Sequence, residues 1–140
     1  MNDSVLNLSD QLFEAYSRET GNTYIFYSDL KKRFSRWSRN AVAFFGLSDE
    51  IIEDLGDEWE THVHPDDLLA FRKSINDVMS GRTDGHHLEY RARAQDGSYV
   101  IVTCTGSIIN DKDGNPAIFA GTLVNHGLTD SYDPITNFNN

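Results

Sequence analysis

The chain has 140 residues, of which 39% are hydrophobic and 24% are charged, and its formal net charge is −10. This length and composition are typical of one globular domain, and the surplus of acidic side chains argues against nucleic-acid binding, because phosphate is also negative. The single cysteine, Cys104, excludes an internal disulfide and a metal site built from several cysteines.

No apolar run approaches the roughly 20 residues that span a bilayer. The first residues also lack the basic region and the following apolar region of a signal peptide. We therefore expect a cytoplasmic protein without direct membrane contact, although a longer parent protein is free to carry a membrane segment elsewhere.

Residues 1–22 are predicted to form an N-terminal flanking segment around an amphipathic helix at 5–19. Apolar side chains recur there at helical spacing, with Phe13 at the edge of the stripe, and Gly21 follows the helix. The stripe either packs on its own domain or forms the seam of a dimer. The dimer-seam candidates are Val5, Leu8, Leu12 and Tyr16.

Aromatic and β-branched side chains predict a strand at residues 23–29 and a second, short strand at 34–37. Ser38 is suited to cap a short helix at 39–45, which Gly46 would end. Two strands and a helix therefore open the main body of the chain.

Ser48 and the acidic residues after it predict a helical turn that includes residues 51–52. The chain then looks irregular over 56–65. Two aspartates at 66–67 place negative charge at the start of a longer amphipathic helix at 68–79, where the helix dipole favours it.

Two turn signals, Asp96-Gly97 and Asp113-Gly114, divide residues 88–124 into three strand-like segments. The first alternates apolar and polar residues, whereas the next two are apolar on both faces and are expected to be covered on both. We therefore predict an α+β fold, with a five-stranded antiparallel sheet, short helices on one face and a central pocket between them.

Four motifs stand at the junctions of these elements. They are Val-His-Pro-Asp-Asp at 63–67, Glu-Tyr-Arg at 89–91 with Asp-Gly-Ser at 96–98, Asn-Asp-Lys-Asp-Gly-Asn-Pro at 110–116, and Phe-Ala-Gly at 119–121. In this order and at these separations they resemble a PAS domain of the sensory-box (PAS/PAC) type from bacterial sensor proteins. We assign residues 23–126 to it, and the resemblance implies a role in signal transduction.

The tail at 133–140, Asp-Pro-Ile-Thr-Asn-Phe-Asn-Asn, is similar to the Asp-x-Leu-Thr-Gly-Leu-x-Asn-Arg opening of GGDEF diguanylate cyclase domains. It differs at Asn137, where that family has glycine. The resemblance implies that residues 127–140 are a linker and the beginning of a GGDEF domain, so that the parent protein would be a PAS-GGDEF diguanylate cyclase. The signature loop of the cyclase is absent, and this chain is therefore predicted to be non-catalytic.

A ligand of the central pocket should be small and largely apolar or aromatic, although ordinary core packing is the simpler role for each side chain that faces it. The candidate lining residues are Phe26, Trp37, Phe44, Phe71, Ile75, Tyr90, Thr103 and Thr122. Among them, the buried hydroxyl groups would need hydrogen-bond partners.

We predict no cofactor. Flavin photosensors of this superfamily carry their adduct-forming cysteine in an Asn-Cys-Arg context on a helix, whereas Cys104 lies within a strand. Haem-binding relatives often present a histidine from the long helix, and residues 68–79 contain none. The histidine pairs at 62/64 and 86/87 flank loops without the spacing of zinc motifs, so that no metal site is predicted.

The first functional hypothesis is a sensory and dimerisation module that binds a small signal or a partner and regulates a C-terminal diguanylate cyclase. Its expected partners are a second copy of the chain and the GGDEF domain of the same chain. The alternative is a ligand-free protein–protein interaction module with a filled core. An independent enzyme has no constellation of residues to support it, since residues 64–67 are better explained as a helix entrance.

Overall fold

The computed structural model describes residues 3–17 and 21–128, and most of the predicted linker and GGDEF-like segment lies outside them. The described elements, in chain order, are α1 (Asp3–Ser17), β1 (Thr23–Asp29), β2 (Phe34–Trp37), α2 (Arg39–Phe45), β3 (Ile51–Ile52), α3 (Asp57–Glu60), α4 (Leu68–Met79), β4 (His86–Arg93), β5 (Tyr99–Asn110) and β6 (Pro116–Leu128). No helix among these residues combines the length and the apolar character needed to cross a membrane.

All the strands belong to one antiparallel sheet with the order β3-β2-β1-β6-β5-β4. The first long strand and the last one therefore lie side by side at its centre, and Phe26 pairs with Gly121. The Asp-Gly turns predicted between β4, β5 and β6 are confirmed, and Gly97 and Gly114 adopt the positive φ angles of 90° and 85° that such turns require.

The prediction of five strands is wrong, because the sheet has six. Ile51 and Ile52, which we expected in a helical turn, pair with β2 instead and form β3. Ser48 does not start a helix, since its backbone N–H and its hydroxyl both donate to the Glu58 carboxylate. Two β-branched residues next to an unpaired strand edge favour the sheet.

The helices predicted at 39–45 and 68–79 are confirmed, and a short α3 appears within the segment expected to be irregular. The N-cap residues of these two helices, Ser38 and Asp67, form no side-chain capping hydrogen bond, contrary to the prediction for Ser38. The Ser38 hydroxyl instead accepts from the Ile25 N–H of β1. Asp67 turns away from its own helix to bind Arg91.

The Asp67 carboxylate connects the start of α4 with β4. It is only 3% exposed, and it accepts hydrogen bonds from the backbone N–H, Nε and Nη2 of Arg91, each at 2.9 Å. On the same edge, the His64 N–H donates to the Arg91 carbonyl and the Arg93 N–H donates to the His62 carbonyl. These bonds cover the edge of β4 and hold α4 across the inner face of the sheet.

One face of the sheet, called the inner face below, carries α2, α3 and α4 and the hydrophobic core. The outer face is only partly covered by the described residues, contrary to the expectation that β5 and β6 are covered on both faces. Ile109, near the end of β5, is 55% exposed. The long apolar runs of β5 and β6 therefore do not mean that both faces of these strands are completely buried.

The helix α1 packs on the outer side of β1 and β2. Phe13 is buried, its ring meets Tyr27 edge-on at 5.7 Å, and the Arg36 guanidinium lies 4.5 Å from the centre of the Phe13 ring. Arg36 also pairs with Asp10 of the helix at 3.0 Å. Leu12, which belongs to the predicted apolar stripe, is 50% exposed. The buried side of α1 is therefore the side that carries Phe13.

Two glycines allow β5 and β6 to approach closely. Gly106 and Gly121 are direct partners in the register. A Cβ atom at Gly121 would lie 1.9 Å from the Thr105 carbonyl oxygen, and one at Gly106 would lie 2.6 Å from the Phe119 ring. Gly106 therefore leaves the space in which the Phe119 ring lies on the inner face.

Candidate ligand pocket

A cavity of about 290 Å³ lies between the inner face of the sheet and the helices α3 and α4. Strands β1, β2, β5 and β6 form its floor, and α4 covers it. Its main apolar walls are Phe26, Trp37, Trp59, Phe71, Ile75 and Phe119. A mostly apolar cavity of this size can hold a small organic molecule.

Stacked aromatic rings give the cavity a rigid side. Phe26 stacks on Trp37 with ring centres 5.1 Å apart, and Trp37 lies 4.8 Å from Trp59. Phe26 also contacts Phe119 at 5.7 Å. Because large rings that contact each other have few alternative rotamers, these walls are pre-formed.

Several predicted lining residues lie on this cavity, namely Phe26, Trp37, Phe71 and Ile75. Tyr90 lies in the core beside it, completely buried, and its ring contacts Phe71 at 5.2 Å. The Tyr90 hydroxyl accepts a hydrogen bond of 2.9 Å from Trp59 Nε1, which gives both buried polar groups a partner.

The other candidates, Phe44, Thr103 and Thr122, are placed elsewhere. Phe44 lies beside the inward-facing Phe45 of α2 and stacks on Tyr24 at 6.1 Å instead. The alternation along β5 and β6 puts both threonines on the outer face, where the Thr103 hydroxyl lies 2.7 Å from His126 Nε2. The prediction that Thr103 and Thr122 line the pocket is wrong, because period-two patterning is lost in strands that are apolar throughout.

Trp59, Cys104 and Phe119 line the cavity but were missed in the sequence. Trp59 belongs to the short helix α3, which no sequence pattern predicted. The glycines at 106 and 121 were a usable signal for Phe119, since a missing side chain on one strand leaves room for a large one nearby.

The polar groups of the floor are partnered within the protein. The Ser35 hydroxyl donates to the Asp54 carbonyl at 2.9 Å, and the Ser28 and Ser35 hydroxyls are 2.8 Å apart. Burial raises the pKa of the Cys104 thiol to about 12, so that it is neutral and a poor nucleophile at neutral pH. Glu60 lies at the solvent side, where Arg72 donates to its carboxylate at 2.9 and 3.0 Å.

His86, the first residue of β4, has a buried polar atom without such a partner among the described residues. It is completely buried, its Nδ1 lies 2.7 Å from the Ser74 hydroxyl of α4, and its Nε2 has no hydrogen-bond partner among the described residues. Phe71 and Phe119, both cavity walls, meet the imidazole edge-on at 5.8 and 6.0 Å. Burial, assisted by the neighbouring His87, lowers the pKa of His86 to about 4, so that the ring is neutral at pH 7.

Within residues 3–17 and 21–128, no group of three or more His, Cys, Asp or Glu side chains is placed to hold a metal ion. The neighbouring histidines at 86 and 87 lie in different environments. His86 faces the core, while His87 is exposed on the outer face beside Thr105.

A comparison with protein-family models decides the family, because the model of the PAS fold matches residues 34–123, more than half of the chain. The chain belongs to the PAS fold family. Members of this family are sensory, non-catalytic modules, and the recognition of a PAS domain from its sequence motifs is confirmed.

Solved structures have the same fold at low sequence identity. The PAS domain of a protein from Colwellia psychrerythraea is 15% identical with a TM-score of 0.65, over 88% of this chain and 98% of that one. The N-terminal domain of a diguanylate cyclase with PAS/PAC sensor from Marinobacter aquaeolei is 17% identical with a TM-score of 0.64, over 75% and 95%. A sensory box histidine kinase/response regulator from Burkholderia thailandensis is 18% identical with a TM-score of 0.57, over 75% and 77%. A comparison with curated proteins gives no match.

Replacing His86 with Phe should make the stability of the PAS domain less dependent on pH. The pKa of His86 is about 4 in the folded protein and 6.5 as a model value, so the unfolded state binds the extra proton between these values. The free energy of unfolding therefore falls as the pH drops through this window, by roughly 2 kcal/mol between about pH 7 and pH 5 from this residue. Urea unfolding at both pH values measures the loss, which should be smaller in His86→Phe by that amount.

The matched control is His87→Phe, because His87 is the exposed neighbour on the other face. This variant should keep most of the pH dependence of the unsubstituted protein, because burial, the larger cause of the lowered pKa of His86, is unchanged. Equal losses of stability in His86→Phe and in the unsubstituted protein would contradict a neutral, buried His86.

Proposed function

We propose that this PAS domain senses a small, mostly apolar molecule that binds in the cavity beneath α4. The observation that carries the proposal is the cavity itself, about 290 Å³ of mostly apolar space beside the hydrophobic core. An apolar cavity of roughly 150 Å³ is able to bind benzene, so this one has room for a bicyclic molecule of roughly ten non-hydrogen atoms. Binding would bury apolar surface of ligand and protein together.

The sheet offers a route by which occupancy of the cavity reaches the protein surface. Phe26 of β1 and Trp37 of β2 are walls of the cavity. Their neighbours in the sequence, Tyr27 and Arg36, contact Phe13 of α1. Because side chains alternate between the faces of a strand, a displacement of β1 or β2 by a ligand moves the surface on which α1 packs. The output would then be a change in the position of α1.

We further propose that the regulated output is a diguanylate cyclase that follows the PAS domain in the same chain. Support comes from the GGDEF-like sequence at 133–140, which lies outside the described residues. The last described strand, β6, lies next to β1 at the centre of the sheet and leads toward that segment. A ligand that moves β1 therefore has a direct mechanical path to the cyclase.

Filling the cavity should abolish ligand binding without unfolding the protein. Ile75 of α4 lines the cavity, so Ile75→Trp should occupy the space that a ligand needs. Leu69→Trp is the matched control, since Leu69 lies on the same helix and is 81% exposed. With naphthalene as the probe, backbone amide shifts in NMR spectra should change around Gly56 and Cys104 in the unsubstituted protein and in Leu69→Trp, and stay unchanged in Ile75→Trp.

This experiment also separates the two functional hypotheses. If neither naphthalene nor 2-naphthol changes the amides of the cavity walls in the unsubstituted protein, the cavity does not open to small molecules. The ligand-free interaction module would then be the better explanation, and α1 with the exposed part of the sheet would be its binding surface.

We propose that the domain acts as a homodimer in which α1 contributes to the contact. Leu12 is 50% exposed on α1, and Tyr16 is partly buried one turn further along. For the other two candidates, Val5 and Leu8, the structure describes the helical backbone but not the side chains. An exposed leucine beside the polar Asp10 and Gln11 suits a contact with a second copy.

Replacing Leu12 with Asp should weaken this dimer, because the contact would have to bury a charge. Gln11→Asp is the matched control, since it adds the same charge at the neighbouring exposed position. Sedimentation at micromolar concentration should show more monomer for Leu12→Asp than for Gln11→Asp. An unchanged mass for Leu12→Asp would exclude α1 as the seam.

A further inference from the structure

The charges around the cavity restrict the ligand to an uncharged molecule. Among the described residues that line it, Glu60 carries the one formal charge, and Arg72 neutralises that carboxylate at the solvent side. A ligand carboxylate or phosphate would find no cation on the cavity wall, and a ligand ammonium would have to compete with Arg72. Burying an unpaired charge is strongly unfavourable.

The hydrogen-bond donors on the cavity wall are already in use. Ser35 donates to Asp54, Ser28 lies at hydrogen-bond distance from Ser35, and Trp59 donates to Tyr90. A polar group on the ligand therefore gains little from these side chains, because it would have to replace bonds that already exist.

His86 Nε2 is different, because it is buried and has no hydrogen-bond partner among the described residues. Two walls of the cavity, Phe71 and Phe119, contact its ring, and Ser74, which lies next to the wall residue Ile75, fixes its other nitrogen. Gly106, the partner of His86 across the β4–β5 ladder, has no side chain, and the Phe119 ring lies over that position. Phe71 and Phe119 thus line the cavity and also contact the imidazole ring of His86.

Resting on the proposed function, we infer that the ligand is an uncharged, largely apolar molecule with one hydroxyl-type group, and that this group forms a hydrogen bond with His86 Nε2 between Phe71 and Phe119. A hydroxyl group suits either state of the neutral imidazole. It accepts from Nε2–H if Ser74 donates to Nδ1, and it donates to Nε2 if Nδ1–H donates to Ser74. Binding would then satisfy a buried polar atom that the ligand-free protein leaves unpaired.

The test compares 2-naphthol with naphthalene, which differ by one hydroxyl group. The ratio of the naphthalene Kd to the 2-naphthol Kd should be about tenfold larger in the unsubstituted protein than in His86→Phe, because the variant cannot form the hydrogen bond. His87→Phe, which changes an exposed histidine on the outer face, should keep the ratio of the unsubstituted protein. The difference in hydration between the two probes is the same for every variant, so it cancels when the ratio is compared between variants.

A second measurement needs no variant, and it therefore holds even if His86→Phe folds poorly. In the unsubstituted protein labelled with ¹⁵N at histidine, 2-naphthol should shift the Nε2 resonance of His86, whereas naphthalene should leave it nearly unchanged. The Nδ1 and Nε2 resonances also report which nitrogen carries the proton, and hence whether the hydroxyl group accepts or donates.

The outcomes separate this inference from the proposed function. If both probes bind but the ratio is the same in His86→Phe, or Nε2 does not respond to 2-naphthol, the cavity is a ligand site and the assignment of His86 is wrong. If neither probe binds the unsubstituted protein, both the inference and the ligand-sensing proposal are overturned.

Discussion

The pocket depends on a buried ion pair that holds α4 in place. The Asp67 carboxylate stands at the N-terminus of α4, almost without exposure, and receives three hydrogen bonds from Arg91 of β4. A carboxylate buried in this way needs all of its partners, so the pair accepts few alternative arrangements. The helix that follows carries Phe71 and Ile75 over the sheet and thereby covers the cavity. The same fixed start of α4 brings Ser74 to His86.

The opposite side of the cavity is held by aromatic packing and by the close approach of β5 and β6. Gly106 and Gly121 let the two backbones and the Phe119 ring share a space that any Cβ atom would fill. A rigid floor and a helix that is anchored at its start make a cavity that is largely pre-formed. The outer face of β1 and β2 holds α1 through Phe13, so that the sensing side and the contact side of the sheet are separated by one layer of backbone.

Local patterns in the sequence predicted the helices at 39–45 and 68–79, the strands and the turns, because each has a periodicity or a turn residue of its own. They failed where long-range contacts decide. Ile51 and Ile52 became a strand because β2 offered a free edge, and Asp67 bound Arg91 instead of capping its own helix. Of the pocket, Phe71 and Ile75 could be predicted from helical spacing, and Phe26 and Trp37 as aromatic residues of the two predicted N-terminal strands. Thr103 and Thr122 could not, since both faces of β5 and β6 are apolar. The unpaired nitrogen of His86 depends on the positions of four elements, and no sequence pattern encodes it.

The central claim is that the cavity exists to hold a small molecule. Native mass spectrometry of the purified protein, compared with its mass after denaturation, tests this most directly. We expect an additional mass in the native spectrum that corresponds to a small neutral molecule and disappears on denaturation. We also expect that Ile75→Trp, which fills the cavity, lacks this mass while Leu69→Trp retains it. Identical native and denatured masses in the unsubstituted protein, even after incubation with 2-naphthol, would contradict a ligand-binding cavity.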